Sequence, residues 1–390
     1  MAERYDLIIS GGGPVGLTLA LGAARQGRSV LVLEQAPPEQ GGESFDGRML
    51  ALNRASRAVL QRVGAWEALA PQLTAIEHVH VSQRGHFGVV TLHAGEQGVD
   101  ALGWSVLGRD LGLTLQRLVQ ETPNITLRQP ARLTDFRQTA EGVEVRFQGG
   151  EAEAQAHGRL LVGADGTRSR VREVLGWPLE EKDYGAWAVI AQVETHHPHD
   201  GWAFERFTPD GPVALLPWRT RQHKAVMVVP DREIDRIMGL DDSGWLAAFE
   251  AKMGPRFGGF AATSPRLRYP LKESYVQRVA EGRVALLGNA SHTQHPVAAQ
   301  GLNLGLRDVA DYLDGLALED ALEDPAWLSD YEQRRRQDHR AVMGATDSLI
   351  ALFQLPQPLA GHLRGAGLLG LQLAAPLKRR LAGFFMGERT

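Results

Sequence analysis

Apolar and polar positions follow two different periods along the chain. Leu7–Ser10 is a short apolar run that ends in Gly11-Gly12-Gly13. From Pro14 to Arg25, Val15, Leu17, Leu19, Ala20, Ala23 and Ala24 recur at helical spacing. A second apolar run, Ser29–Leu33, ends in Glu34. Strand, glycine turn, helix, strand and acid together predict one βαβ unit. Arg109–Thr122 reads as a helix, and strands follow near Ile125–Leu127, Val143–Phe147 and Leu160–Val162. From Tyr184 to Pro230 the texture changes. Apolar runs such as Trp187–Val193, Val213–Pro217 and Ala225–Val229 alternate with turns rich in Pro, Asp and Gly, which predicts an antiparallel, strand-rich region. Helical spacing returns at Asp242–Met253. A strand at Val284–Leu287 precedes a long helix from Gly301 to Leu316, and the chain is helical after about Pro325. The first and last parts therefore read as one nucleotide-binding α/β domain into which the strand-rich middle is inserted.

A chain of 390 residues suits two joined domains and a tail rather than one minimal core. Its net charge of −4, with the basic residues scattered, lacks the basic stripe of a nucleic-acid binder. Cysteine is absent, which excludes disulfides, thiolate metal sites and cysteine nucleophiles. The N-terminal apolar run stops at once in glycines and reads as a buried strand, not a secretion signal. No stretch reaches the ~18 apolar residues of a membrane span. A cytoplasmic protein is expected.

Three motifs carry chemistry. Gly11-Gly12-Gly13-Pro14-Val15-Gly16 fits G-x-G-x-x-G, whose glycines let the backbone approach a pyrophosphate while the following helix aims free N–H groups at it. Glu34, 18 residues beyond Gly16, is placed to accept from a ribose diol. Leu160–Val162 runs into Gly163-Ala164-Asp165-Gly166, with Ser169 and Arg172 following; such a turn is also common without a ligand. Val284–Leu287 runs into Gly288-Asn289-Ala290, then His292, His295-Pro296 and Gln300-Gly301-Leu302-Asn303-Leu304-Gly305, with Asp308 beyond. That is a strand, a small-residue turn, a proline-bearing loop and a helix whose positive end suits an electron-rich ring.

Together these motifs resemble the FAD-dependent aromatic hydroxylases related to para-hydroxybenzoate hydroxylase, over roughly residues 5 to 315. Within that group, the run from His295 to Asp308 is similar to the signature of the ubiquinone-biosynthesis hydroxylases, most of all the 2-polyprenyl-6-methoxyphenol hydroxylase branch. The signature has Gly where this chain has Ala299, and the broad family has Asp where this chain has Asn289. The resemblance implies a Rossmann-like FAD-binding domain (1–75, 100–175 and 275–325), an inserted β-sheet-rich substrate domain (76–99 and 176–274) and a C-terminal helical region (326–390). It implies that Gly11, Gly13, Pro14, Gly16 and Glu34 hold the ADP half of FAD. Arg48 and Arg109 are expected near the cofactor, Asp165 and Gly288-Asn289 along its pyrophosphate and ribityl chain, and Pro296 with the Gly301, Leu302 and Asn303 backbone at the isoalloxazine ring.

The implied reaction is ring hydroxylation of a polyprenylated phenol with NAD(P)H and O2, through a flavin C4a-hydroperoxide. No protein nucleophile and no metal are expected, because the flavin carries the hard step. Leu216, Pro217, Trp218 and Pro296 are expected to line the substrate site, with Phe204, Arg206 and Leu215 nearby; ordinary sheet packing is the alternative for each. His196-His197-Pro198-His199 reads as a solvated loop and not a metal site. Residues Gly367–Phe385 form a basic amphipathic segment with Leu369, Leu373, Leu377, Lys378, Arg379 and Arg380. It suits a membrane interface at the inner membrane, or packing on its own domain or a second subunit. A ubiquinone-biosynthesis complex and a homo-oligomer are the implied assemblies. Two other functions stay open: a hydroxylase of small soluble phenols, and a flavin-bearing subunit that organises a complex without turnover.

Overall fold

The computed structural model describes residues 3–37, 49–150, 152–255, 258–294, 301–354 and 359–388. Arg48, His295, Pro296 and Ala299 lie outside the described residues.

The chain begins with β1 (Glu3–Ser10), α1 (Pro14–Arg25) and β2 (Val30–Leu33), the βαβ unit that the apolar periodicity predicts. It continues through β3 (Met49–Asn53), α2 (Arg54–Arg62), α3 (Trp66–Leu69), β4 (Thr74–Ile76), β5 (His78–Gln83), β6 (Val89–His93) and β7 (Gly103–Leu107). Next come α4 (Gly108–Gln120), β8 (Ile125–Arg128), β9 (Arg132–Gln138), β10 (Val143–Gly149), β11 (Ala152–Gly163) and α5 (Arg170–Leu175). The strand-rich stretch holds β12 (Leu179–Thr195), β13 (Trp202–Phe207), β14 (Val213–Trp218) and β15 (Gln222–Pro230). Helices α6 (Ile234–Met238) and α7 (Asp242–Met253) precede β16 (Phe260–Thr263) and β17 (Leu267–Val276). The chain returns through β18 (Ala280–Glu281), β19 (Val284–Leu286), β20 (His292–Thr293) and α8 (Gly301–Leu316). It closes with α9 (Trp327–Gln354), α10 (Leu359–Leu373) and α11 (Ala375–Met386).

The first sheet places β8, β2, β1, β11 and β19 side by side and parallel. Read by order along the chain this is 3-2-1-4-5, the doubly wound arrangement whose ligand crevice lies at the carboxyl ends of the strands, where the order reverses. Here that reversal falls between β1 and β11. Both strands are buried on two faces, so they read as continuous apolar runs rather than alternating ones. Leu7, Ile8, Ile9, Leu160, Leu161 and Val162 are all fully buried.

The second sheet runs β20-β17-β12-β15-β14-β13-β5-β6 and is antiparallel except where β13 meets β5. One face buries Val189, Ala191, Val213, Leu215, Ala225 and Met227 against Trp245 and Phe249 of α7. Asp241 caps α7 by accepting from the Gly244 N–H (2.7 Å), and Gly254 ends it with a positive φ. The opposite face looks toward a small third sheet, ordered β3-β7-β4: Lys224 Nζ donates to the Met49 carbonyl of β3 (2.5 Å). Helix α9 joins the two sheets. Its Asp347 accepts from Tyr184 and Lys182 of β12, while its Trp327 and Tyr331 enter the core of the first sheet.

The C-terminal helices lie on their own chain. Gln372 pairs with Thr91 of β6 through both its amide groups, and Lys378 is buried in an ion pair with Glu96 (2.7 Å). Lys378 is thereby removed from the basic exposed face that its sequence neighbourhood predicts. Leu369, Leu373 and Leu377 remain exposed, at 43%, 77% and 55%.

Phe249 is fully buried against Trp245 and Phe260. Phe249→Ala should cost about 3–5 kcal/mol, through lost transfer energy and the cavity left behind. Urea unfolding followed by circular dichroism checks this, with a lower midpoint and an unchanged slope expected.

Candidate active site

The carboxyl ends of four parallel strands meet at one place. After β1, Gly11 takes φ +114°, and a Cβ built there would lie 2.3 Å from the Ala164 carbonyl that follows β11. A Cβ on Gly16 would lie 2.1 Å from the Gly11 carbonyl. These two glycines are demanded by backbone against backbone. Gly13 differs: a Cβ there would meet nothing within 4 Å, so the space before α1 is open. Helix α1 starts with Pro14, has no side-chain cap and no acid in its first turn. Its first N–H groups and dipole therefore face open space, the arrangement that binds a phosphate.

Glu34, just past β2, stands over this turn. Its Oε2 accepts from the Gly12 N–H (2.6 Å) and its Oε1 from the Ala36 N–H (2.7 Å), and each oxygen keeps a lone pair for a ribose hydroxyl. Asp165, after β11, accepts on Oδ2 from the Arg170 and Val171 N–H groups (2.8 and 3.2 Å). Its Oδ1 is buried with no partner, and burial raises its carboxyl pKa. An orphaned carboxylate oxygen beside a glycine cradle is a place for a hydroxyl donor. The set of an open helix start, an acid at ribose distance and an unpaired acceptor fits a dinucleotide such as FAD.

After β19 the chain makes the turn Gly288–Ala290. Gly288 and Ala290 are buried and Asn289 between them is exposed. Gly288 (φ +58°) packs on Val15 of α1, and Gly305 of α8 packs on the same side chain; built Cβ atoms would lie 3.1 and 2.9 Å from Val15 Cγ2. The starts of α1 and α8 and the turn are thus held together. Arg172 of α5 donates to the Ala290 carbonyl (2.9 Å) and to the Thr167 carbonyl (2.8 Å), fixing the turn's far end.

The near end is fixed by Asp308. This fully buried carboxylate accepts on Oδ2 from the Gly288 N–H (2.8 Å) and His292 Nε2 (2.9 Å). On Oδ1 it accepts from Arg335 Nε (2.7 Å) and His339 Nε2 (2.9 Å). Arg335 also donates to Asp311 (2.7 Å). The Arg335 guanidinium and the two imidazoles hold the Asp308 carboxyl well below its usual range although burial opposes them. Burial and the neighbouring His292 push His339 down to about 4, so it is neutral. His292, Asp308 and His339 have ligand atoms within 4.8 Å of one another, the spacing of a metal site. Asp308 instead accepts four N–H donors, one from a permanently charged guanidinium, so the cluster reads as a satisfied buried ion pair.

The remaining expected residues divide. Gly301 and Leu302 begin α8 and are half-buried. The Asn303 side chain turns away toward β3 and α2, accepting from Asn53 N (2.9 Å) and Ser56 Oγ (2.7 Å) and donating to the Ala51 carbonyl (2.9 Å). Arg109 is exposed in the first turn of α4. Arg48 and Pro296 lie outside the described residues. Leu216 and Trp218 share the face of β14 that carries Lys224 on β15, and so look toward β3; Pro217, one position out of phase, points to the other face. Leu215 is in the core against α7, Phe204 packs on that core, and Arg206 donates to the Met253 carbonyl (2.5 Å). Sequence reading missed the roles of Arg172, His292, Asp308, Arg335 and His339. The positions of Arg172 after the second motif and of His292 and Asp308 within the third signalled theirs; nothing marks Arg335 or His339 among the other charged residues of α9. A separate cavity of about 480 Å³ lies between α9 and the β12–β17 pair, with His339 and Glu273 in its wall; none of the glycine-cradle residues lines it.

Gly16→Val should lower FAD retention at least about 100-fold, because the helix start must move off the cradle. Flavin absorbance after gel filtration measures it. The lowered His339 pKa also has a signature. Its stabilising contribution is fully present above 6.5 and is lost as pH falls from there toward 4, since the unfolded chain takes up a proton that the native one refuses. Between pH 7 and 4, wild type should lose on the order of 3 kcal/mol that His339→Gln does not lose. Denaturant midpoints of the two proteins over that range give the difference, and effects common to both cancel.

Residues 4–346 match the FAD binding domain family. The chain is 33% identical to the ubiquinone hydroxylase UbiL of Rhodospirillum rubrum, over 98% of this chain and 89% of that one. It is 29% identical to the 3-demethoxyubiquinol 3-hydroxylase of Escherichia coli, over 99% of both chains. In fold it is similar to the p-nitrophenol 4-monooxygenase PnpA of Pseudomonas putida, with a TM-score of 0.82, 18% identity and complete coverage of both chains. This chain belongs to the FAD binding domain family and, within it, to the FAD-dependent ubiquinone hydroxylases.

Proposed function

We propose that the protein hydroxylates the ring of a polyprenylated phenol in ubiquinone biosynthesis, using NAD(P)H and O2. The observation that carries this reading is the apposition of two surfaces. The glycine cradle opens at the carboxyl ends of β1, β2, β11 and β19, and the sheet face bearing Leu216 and Trp218 looks toward β3, which Asn303 at the start of α8 holds through the Ala51 carbonyl. The names of the relatives support the substrate class.

Bound FAD supplies the oxygen activation; the protein binds, orients and excludes water. Gly11, Gly13, Pro14 and Gly16 with the start of α1 take the pyrophosphate, and Glu34 takes the ribose. Asp165 and Gly288-Asn289 line the chain between pyrophosphate and ring, and the start of α8 at Gly301–Asn303 faces the ring. Arg109 adds positive charge for the phosphates; Arg48 and Pro296, expected at the cofactor, lie outside the described residues. Leu216 and Trp218 offer an apolar wall to the phenol. Residues 1–75, 100–175 and 275–325 form the cofactor half, 76–99 and 176–274 the substrate half, and 326–390 the helical region that braces both.

No helix among the described residues is long and apolar enough to cross a membrane. We place the protein at the cytoplasmic surface of the inner membrane, where a polyprenylated substrate resides. Leu369, Leu373 and Leu377, exposed next to Arg379 and Arg380, are the contact. One face of these helices packs on β6, and the other is left to meet a bilayer.

Purified protein loaded with FAD should oxidise NAD(P)H and yield hydroxylated product from a polyprenylated methoxyphenol, and little from the same ring without its tail. Product from the short phenol alone would move the protein to hydroxylases of small soluble phenols. FAD retention without product from either would support a non-catalytic subunit. In co-sedimentation with phosphatidylglycerol vesicles, the double variant Leu373→Asp, Leu377→Asp should bind at least about tenfold more weakly while keeping its FAD. Unchanged binding would remove these residues from the contact.

A further inference from the structure

Helix α9 lies beyond the three motifs, yet it reaches the third of them. Arg335 and His339, one turn apart, both donate to Asp308 Oδ1 (2.7 and 2.9 Å). The other oxygen of the same carboxylate accepts from the Gly288 N–H (2.8 Å). Gly288 opens the turn whose exposed residue is Asn289 and whose backbone packs on Val15 at the start of α1. His292, four residues after Gly288, donates to that same oxygen (2.9 Å), and its ring meets His339 edge-on with centroids 4.2 Å apart.

We propose that Arg335 and His339 of α9 are positioning residues for FAD: by fixing Asp308 Oδ1 they orient the carboxylate whose Oδ2 receives the Gly288 N–H, and so hold the Gly288–Ala290 turn in the conformation that receives the cofactor. The inference rests on the reading that Gly288-Asn289 lines the FAD site. The physical ground is that a carboxylate buried with four donors has one orientation. Asp308 is 0% exposed, so a lost donor cannot be replaced by bulk water. If the His339 donor is removed, Oδ1 keeps only Arg335, the carboxylate is held by three donors instead of four, and the acceptor of the Gly288 N–H is less tightly fixed. Gly288 is held at φ +58°, and its built Cβ would crowd Val15, so a shift in that peptide passes to α1 as well. Arg172 holds only the opposite end of the turn, at the Ala290 carbonyl. Neither Arg335 nor His339 touches the cofactor in this scheme; both act through Asp308.

The variants His339→Leu and His339→Gln separate positioning from simple support. Leucine fills the space without a donor, whereas glutamine offers an N–H. The full chain is stripped of FAD, and its FAD dissociation constant is measured by flavin fluorescence, with melting temperatures of the apoprotein and the FAD-loaded protein. Loss of one hydrogen bond to a buried charge should weaken FAD binding of His339→Leu at least about tenfold, with His339→Gln within about threefold of wild type. The melting temperature of the loaded protein should fall further than that of the apoprotein. Equal losses in both forms with an unchanged dissociation constant would make His339 a strut only and overturn the proposal. Should His339→Leu not fold, hydrogen exchange on the wild type decides: FAD should protect the amides of both 286–292 and 331–343. Protection confined to the first segment overturns the proposal. A wild type that binds no FAD would overturn the cofactor reading itself, and this inference with it, whereas FAD binding unaffected by His339→Leu would overturn the inference alone.

Discussion

Asp308 brings a full negative charge to a place that water does not reach. Burying an unpaired carboxylate costs several kcal/mol, so such a group persists only when its charge and its lone pairs are both met. Arg335 meets the charge, and the Gly288 N–H, His292 and His339 complete the lone pairs. Arg335 is in turn shared with Asp311 (2.7 Å) and Asp338 (2.7 Å), and Arg307 pairs with Asp338. The donors come from the turn after β19, from β20 and from α9, and the acceptor from α8. These four elements are placed as a group: displacing one leaves a charge buried without its partner. Helix α9 is pinned again near its far end, where Asp347 accepts from Tyr184 on the second sheet (2.6 Å). The helix thereby fixes the second sheet relative to the turn on which the cofactor is to rest.

The rest of the cradle depends on that placement. Strand order puts the ends of β1 and β11 side by side, and the close approach of Gly11 to the Ala164 carbonyl locks those ends together. Val15 is the contact between this cradle and the Asp308 group, since it packs on both Gly288 and Gly305. A larger residue at either glycine would separate α1 from α8, and with them the starts of the two helices. The glycines of the first and third motifs thus serve one geometric need, met from opposite sides of one valine.

What was legible in the sequence is what is local. The βαβ unit, the uncapped start of α1 and the position of Glu34 are each specified within a few residues, and α7 and α8 fall at Asp242–Met253 and Gly301–Leu316 as their spacing predicts. What was not legible depends on distant partners. Nothing near Asn303 shows that its amide binds Ala51, Asn53 and Ser56, some 250 residues earlier. Arg335 and His339 sit in a helix crowded with charge, where a solvated face is the ordinary expectation, and only the fold brings Asp308 to them. Lys378 misled for the same reason: its neighbours Arg379 and Arg380 are exposed, but Glu96 from a distant turn buries it.

The second sheet shows how much one step of register decides. Along β14, Leu216 and Trp218 fall on the inward face, toward β3, while Pro217 falls on the face toward α7. The inward face has a small core of its own in Ala188, Ile190, Val228 and Leu271, whereas Leu216, Lys224 and Val226 are partly exposed. Glu205 on β13 is out of phase with Phe204, which packs toward α7, so its carboxyl lies on this inward face, and burial pushes its pKa up to about 8. At neutral pH that group is largely the uncharged acid, a hydrogen-bond donor rather than an anion.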